Sequence, residues 1–118
     1  MFGKLSIFVK NKRQLAAKYI ELFKELSIEF VNEPSLSEAN YWLNAIVLDN
    51  LKQREEFLAY TNDRGVMTRP VWQLMNRLPM FKHCQTDELK NSIWLADRMV
   101  NIPSGYRVDN NEKIAMCA

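Results

Sequence analysis

Between Tyr41 and Asp49 the chain reads YWLNAIVLD, and the unbroken apolar run Ala45-Ile46-Val47-Leu48 narrows the possible folds more than any other feature. Strict alternation of apolar and polar residues would mark a strand with one wet face. A continuous run marks a strand covered on both faces, so this segment is expected to be the central strand of a sheet. Asn44 interrupts the apolar character just before the run, as a core or edge amide or as a ligand group.

Three segments have the period of a helix rather than a strand. From Asn11 to Leu26, Leu15, Tyr19, Leu22 and Leu26 recur at helical spacing with Ala16 and Phe23 beside them, which makes one buried face. Leu51 to Asp63 follows Asp49 and Asn50, either of which can cap a helix, and Gly65 stands where a left-handed closing residue is needed. The third helix is expected to start at Thr86, a capping residue followed by Asp87 and Glu88, where the helix dipole favours acids. Its stripe of Leu89, Ile93, Ala96 and Val100, flanked by Trp94 and Met99, reads as core rather than a cofactor box.

The intervening pieces are shorter. Ile28 to Val31 reads as a strand, Asn32 to Ser35 as a turn, and Asn101 to Gly105 as a terminator. Met1 to Val9 is either a short strand or an irregular lead-in, and Tyr106 to Ala118 a strand, a frayed helix or a tail. The chain therefore reads as a single domain over residues 1–118, an α/β fold whose small open sheet carries three main helices mostly on one face. Trp42, Trp72, Met80 and Phe81 fall outside the helical stripes, so a partner surface is expected over the uncovered part.

Composition removes several function classes. Sixteen basic and fourteen acidic residues give a net charge of +2, too balanced for a nucleic-acid footprint. The one basic cluster, Lys10, Lys12, Arg13 and Lys18, reads as a solvated helix face. Only three glycines are present, and neither GxGxxG nor GxxxxGK(S/T) occurs, so the usual phosphate-cradling signatures are missing. Cys84 and Cys117 form no CxxC, and the single histidine, His83, adjoins Cys84, so zinc-ligand spacing is absent and both thiols read as reduced. No apolar run reaches the roughly 20 residues that span a bilayer, and no signal-peptide pattern opens the chain, so a cytoplasmic protein without membrane contact is expected.

Candidate site chemistry gathers in Gly65 to Phe81, GVMTRPVWQLMNRLPMF. Val66, Met67 and Thr68 are expected to form a short strand that Pro70 ends, because proline lacks an N–H for the ladder and pushes Arg69 toward extended geometry. Arg69 would then project a planar five-donor fork from a strand end, a geometry that suits phosphate or carboxylate. On the residues alone a second reading stays open: a solvated surface arginine, with Trp72 half-buried in the core.

The order of these elements resembles the C-terminal small domain of pyridoxal-phosphate-dependent nucleotide-sugar aminotransferases of the DegT type. The resemblance runs from about Lys10 to Pro103, through NKRQLAAKYIELF, NYWLNAIVLD, REEFLAYTNDRGV, TRPVWQLMNRLPMF and LADRMVNIPSG. Perosamine-synthase-like members read close to TRPFFYPLHxxPxF, against which Thr68, Arg69, Pro70, Asn76, Pro79 and Phe81 fall without a gap. Gln73, Leu74 and Asn76 depart from that pattern toward the branch that aminates UDP-linked 4-keto amino sugars on the way to bacillosamine or legionaminate-type sugars.

The resemblance implies an enzyme that transfers an amino group, from glutamate as donor, to a 4-keto nucleotide sugar destined for surface polysaccharide. It also implies pyridoxal phosphate in the complete enzyme. The family's active-site lysine, in an SFxxxK-like context, and the carboxylate that faces the pyridinium nitrogen belong to a larger N-terminal domain. Transamination needs both. The chain alone is therefore expected to hold no cofactor, to contribute no catalytic residue, and to meet that domain or a second copy of itself. What it would contribute is substrate positioning, by Arg69 toward a diphosphate or sugar oxygen, Trp72 as an apolar wall and Asn76 as a hydrogen-bonding amide. The alternative is a non-catalytic α/β interaction module derived from such an enzyme.

Overall fold

In the computed structural model, which describes residues 2–108, the apolar run becomes β2 (Asn44–Val47), and every residue of that strand is buried. Its antiparallel neighbours are β1 (Glu29–Phe30) on one side and β4 (Met99–Ile102) on the other; β3 (Arg69–Pro70) pairs antiparallel with β4 and closes the order β1-β2-β4-β3. Register sets Ile46 between Phe30 and Val100. Because strand side chains alternate, those three share a face. On that face Phe23 packs with Ile46, Leu48, Val100 and Ile102, supported by Tyr19, Ile28, Phe30, Phe57 and Leu58. Phe23 and Tyr19 belong to α1 (Leu5–Glu25), and Phe57 and Leu58 to α2 (Leu51–Asp63). Both long helices therefore cover one side of the sheet, as expected for the small open α/β fold, and the opposite alternation carries Ala45, Val47, Met99, Asn101 and Arg69.

Local chemistry explains the ends of α2. Asn50 accepts the Gln53 N–H on its side chain at 2.9 Å, so of the two possible caps Asn50 is the one used. At the other end the Gly65 N–H reaches the Asn62 carbonyl and the Val66 N–H reaches the Thr61 carbonyl, with Gly65 at φ 77°. That paired closure needs a left-handed residue, which glycine adopts without a Cβ penalty.

Four expectations need correction. The lead-in is neither strand nor irregular: a 3-10 turn, Phe2–Lys4, feeds directly into α1, whose Phe8 packs edge-to-face on Tyr106 at 5.3 Å. Val66 to Thr68 is not a strand. Thr68 is buried against α2, its hydroxyl 2.6 Å from that of Thr61 and its carbonyl accepting from Asn62, so the chain enters the sheet only at Arg69. Pro70 is the last residue of β3, so the strand ends there as expected, and an edge strand tolerates the missing N–H.

The third helix, α3, is only Lys90–Ala96. Asp87 accepts the Leu89 N–H at 2.8 Å and Leu89 takes φ 51°, a local turn that displaces the start expected at Thr86. At its far end the Arg98 carbonyl accepts the Leu48 N–H, which draws the chain into the sheet, so Val100 is a strand residue of β4 and not the last step of a helical stripe. Two 3-10 turns, Met75–Arg77 and Pro79–Phe81, complete the described elements. Residues 106–108 continue as loop, and the remainder of the segment left open to the C-terminus lies outside the described residues. Among the described residues no helix is long and apolar enough to cross a membrane.

Candidate functional site

Arg69 opens the edge strand β3, opposite Asn101 of β4. Its side chain is exposed; its Nη2 donates to the Met67 thioether at 3.3 Å, and among the described residues no carboxylate pairs with it. The guanidinium lines a cleft of about 290 Å³ with Lys12, Trp42, Leu43, Met67, Asn101 and the turn Ile102–Gly105. No acid contributes to that lining. Four other clefts among the described residues each include at least one carboxylate: Glu38; Asp87 with Glu88; Glu29 with Asp49; Glu33. A guanidinium and an ammonium in an acid-free cleft suit an anion better than the four acid-bearing clefts do.

The far wall is built by contacts between distant parts of the chain. Lys12 projects from α1 and its ammonium donates to the carbonyls of Ser104 and Trp42, tying the exit of β4 to the approach to β2. Ser104 is buried, and its hydroxyl accepts from the Asn44 main-chain N–H at 2.8 Å and from the Asn44 amide at 3.2 Å while donating to the Ile102 carbonyl at 2.8 Å. Asn44, 1% exposed, is thus held as a core amide, although its Oδ1 is buried without a partner. Trp42 stands at the lip, 64% exposed.

The approach to Trp42 is held by a second latch. Arg13 grips Glu33 with both guanidinium nitrogens, at 2.9 and 3.1 Å, and also donates to the Ala39 carbonyl; Glu33 in turn accepts the Ala39 N–H at 2.8 Å. These hydrogen bonds, first from Arg13 and then from Ala39, outweigh the opposing partial burial and hold the Glu33 carboxyl down at about 2. The Arg13 guanidinium also lies over the Tyr41 ring at 5.5 Å, and the Tyr41 hydroxyl donates to Asn32 at 2.7 Å. Arg13 and Lys12, read from sequence as parts of a solvated basic face, are both structural clamps.

Of the three residues singled out from the sequence, only Arg69 lines this cleft. Trp72 lies beyond β3 and is 80% exposed, and Asn76 sits half-buried in the turn Met75–Arg77; neither contributes to the lining. Lys12, Trp42 and Ser104 were not legible as site residues, because their partners are 30 to 92 positions away.

The needs of pyridoxal phosphate can be set against this donor set. The lysine in the lining commits its ammonium to two main-chain carbonyls, and no carboxylate is available in the cleft to face a pyridinium nitrogen. The cleft does not fit that cofactor by itself.

A family model described as the DegT/DnrJ/EryC1/StrS aminotransferase family matches residues 1–118. Among curated proteins, GDP-perosamine synthase of Escherichia coli O157:H7 is 27% identical over 115 residues, covering 93% of this chain and 30% of that protein. The fold recurs in solved structures. An aminotransferase of this family from Brucella abortus superposes with a TM-score of 0.78 at 15% identity, over 98% of this chain and 31% of its own. The sugar aminotransferase CalS13 from Micromonospora echinospora gives 0.72 at 22% identity, over 94% of this chain and 29% of its own. The chain thus spans about a third of the length of the relatives it matches.

Proposed function

The chain belongs to the DegT/DnrJ/EryC1/StrS aminotransferase family, and on that premise we propose that it is the substrate-positioning part of a pyridoxal-phosphate-dependent aminotransferase acting on a 4-keto nucleotide sugar. The product would be an amino sugar for surface polysaccharide, the amino donor glutamate, and the setting the cytoplasm. The observation that carries this reading is the unpaired Arg69 guanidinium beside Lys12 in an acid-free cleft.

A diphosphate carries two or more negative charges, and the planar guanidinium engages a pair of oxygens on a tetrahedral phosphate with two parallel N–H donors. Holding the charged end of the substrate at a fixed strand lets its reacting carbon be presented to a separate catalytic centre. Trp72 and Asn76 belong to this reading as contacts made outside the cleft, Trp72 as an apolar wall and Asn76 as an amide donor or acceptor. Pyridoxal phosphate, held by a lysine-bearing partner domain, would supply the electron sink.

The second reading, a non-catalytic interaction module, draws on the exposed apolar side chains Trp42, Met67, Trp72, Met75 and Met80. Complementation separates the two. The purified chain is assayed with pyridoxal phosphate, glutamate and a 4-keto nucleotide sugar, alone and with a lysine-bearing large domain of the same family. The positioning reading expects no turnover alone and turnover on complementation; turnover by the chain alone, or none on complementation, overturns it.

A further inference from the structure

Met67 and Arg69 stand either side of a residue that is locked in place. Thr68 is buried against α2, its carbonyl accepting from the Asn62 amide at 3.1 Å and its hydroxyl 2.6 Å from that of Thr61. With Thr68 turned inward, both neighbours are left exposed and line the same cleft, where Arg69 Nη2 donates to the Met67 thioether at 3.3 Å. Among the described contacts that sulfur is the one side-chain partner Arg69 has.

A thioether is a weak acceptor, so this contact leaves the guanidinium nearly free to engage an anion. Oxidation reverses that. Met67 is 62% exposed, which opens its sulfur to a hydroperoxide. The sulfur gives an electron pair to the terminal peroxide oxygen, the O–O bond breaks, and the proton of the transferred oxygen leaves with the departing oxygen as water or an alcohol. Sulfur is oxidised by two electrons and the peroxide is reduced by the same two. The sulfoxide formed is polar, and its oxygen, a far stronger acceptor, stands one bond beyond a sulfur already within reach of the Arg69 fork. Met75 and Met80 are as exposed, at 61% each, but no described hydrogen bond joins either sulfur to a cation.

We infer that Met67 is a reversible oxidation site that sets how strongly Arg69 holds an anion: as the thioether it leaves the guanidinium available, and as the sulfoxide it takes one of the donors an anion needs. The inference rests on reading the cleft as an anion site and adds a control on that site. Diverting one charge-assisted donor is worth about tenfold in affinity. The loss is partial, because the guanidinium keeps its charge and its remaining donors. Methionine sulfoxide is reduced by dedicated reductases, one for each epimer at sulfur, so the control is reversible.

The test treats the full chain with hydrogen peroxide, maps the added oxygen by peptide mass spectrometry, and titrates both forms with inorganic pyrophosphate by calorimetry. Oxygen should be found on Met67, and pyrophosphate should bind the oxidised chain about tenfold more weakly. Both methionine sulfoxide reductases with dithiothreitol should restore the starting affinity. In side-chain nitrogen NMR the Arg69 N–H signals, assigned by their absence in Arg69→Lys, should shift and exchange more slowly after oxidation. Met67→Leu, compared only with itself, should show the same affinity before and after peroxide, although Met75, Met80 and Cys84 remain open to oxidation. An equal fall in Met67→Leu, or a Met67 that takes up no oxygen, overturns the inference. Unchanged pyrophosphate affinity with Met67 oxidised overturns it while leaving Arg69 as an anion contact. Pyrophosphate that binds neither form overturns it for this chain, and the complementation assay then judges the positioning reading separately.

Discussion

Replacing Ser104 by alanine should cost more than the loss of one hydroxyl suggests. That oxygen is the shared acceptor for two buried donors, the Asn44 main-chain N–H and the Asn44 side-chain amide, at 2.8 and 3.2 Å. The side-chain amide has no other acceptor among the described contacts, and Asn44 Oδ1 is already unpaired. A buried donor left unsatisfied costs about 1–3 kcal/mol, so stranding the amide predicts a loss of about 1–3 kcal/mol. Against a total of about 5–15 kcal/mol for a domain, that is a substantial fraction. It corresponds to a fall in Tm of roughly 5–15 °C at about 4–5 °C per kcal/mol. The assay is urea unfolding followed by far-ultraviolet circular dichroism, with Asn44→Ala as the second arm of a double-mutant cycle. Because the double variant has no amide left to strand, it should be less destabilised than the two single losses summed, by about 1 kcal/mol or more. A Ser104→Ala variant within about 0.5 kcal/mol of wild type, or strict additivity in the cycle, would refute the shared-acceptor account.

Glu33 is held at about 2 in the folded chain against an ordinary 4.5, so the native state binds fewer protons than the unfolded state between those values. Its contribution should be fully present above about pH 4.5 and lost as pH falls toward 2; unfolding midpoints of wild type and Glu33→Gln should differ by a constant amount above pH 5 and converge in acid. Gly65→Ala should destabilise by about 1 kcal/mol in chemical denaturation. A Cβ there meets nothing within 4 Å, so the cost comes from φ 77° alone, and Gly65→Asn should recover part of it. Ile46→Ala, at a fully buried site, should cost about 2–5 kcal/mol by the same measurement, whereas the exposed Leu36→Ala should stay within about 0.5 kcal/mol.

What could be read in advance was whatever local chemistry decides. The run Ala45 to Leu48 fixed an interior strand because only a doubly covered strand tolerates four consecutive apolar residues, and Asn50 and Gly65 marked α2 because caps act within a few residues. What escaped was decided by distant partners. Val100 fits a helical stripe from Leu89 as well as a strand alternating with Ile102, and the choice falls to the Arg98 carbonyl bonding the Leu48 N–H across the sheet. The strand expected at Val66 to Thr68 was lost to a side-chain contact between Thr68 and Thr61. At the site, the Thr-Arg-Pro sequence pointed to Arg69, but no local signal distinguishes Lys12 from its basic neighbours. Its role depends on Ser104, 92 residues away. Trp42 was visible as an apolar residue outside the stripes, yet its place beside Arg69 required the β2-β4-β3 order.

The positioning role of Arg69 is tested most directly by the specificity constant for a 4-keto nucleotide sugar in the complemented enzyme, measured for wild type, Arg69→Ala and Arg69→Lys alongside their Tm values. A charge-assisted contact to phosphate is worth about 1.5–3 kcal/mol, so Arg69→Ala should lower kcat/KM by roughly ten- to a hundredfold. Its Tm should stay close to wild type, because the side chain is exposed and unpaired. Lysine should restore only part of the rate, since it keeps the charge without the fork. Kinetics unchanged in Arg69→Ala would contradict the account and return Arg69 to an ordinary solvated arginine.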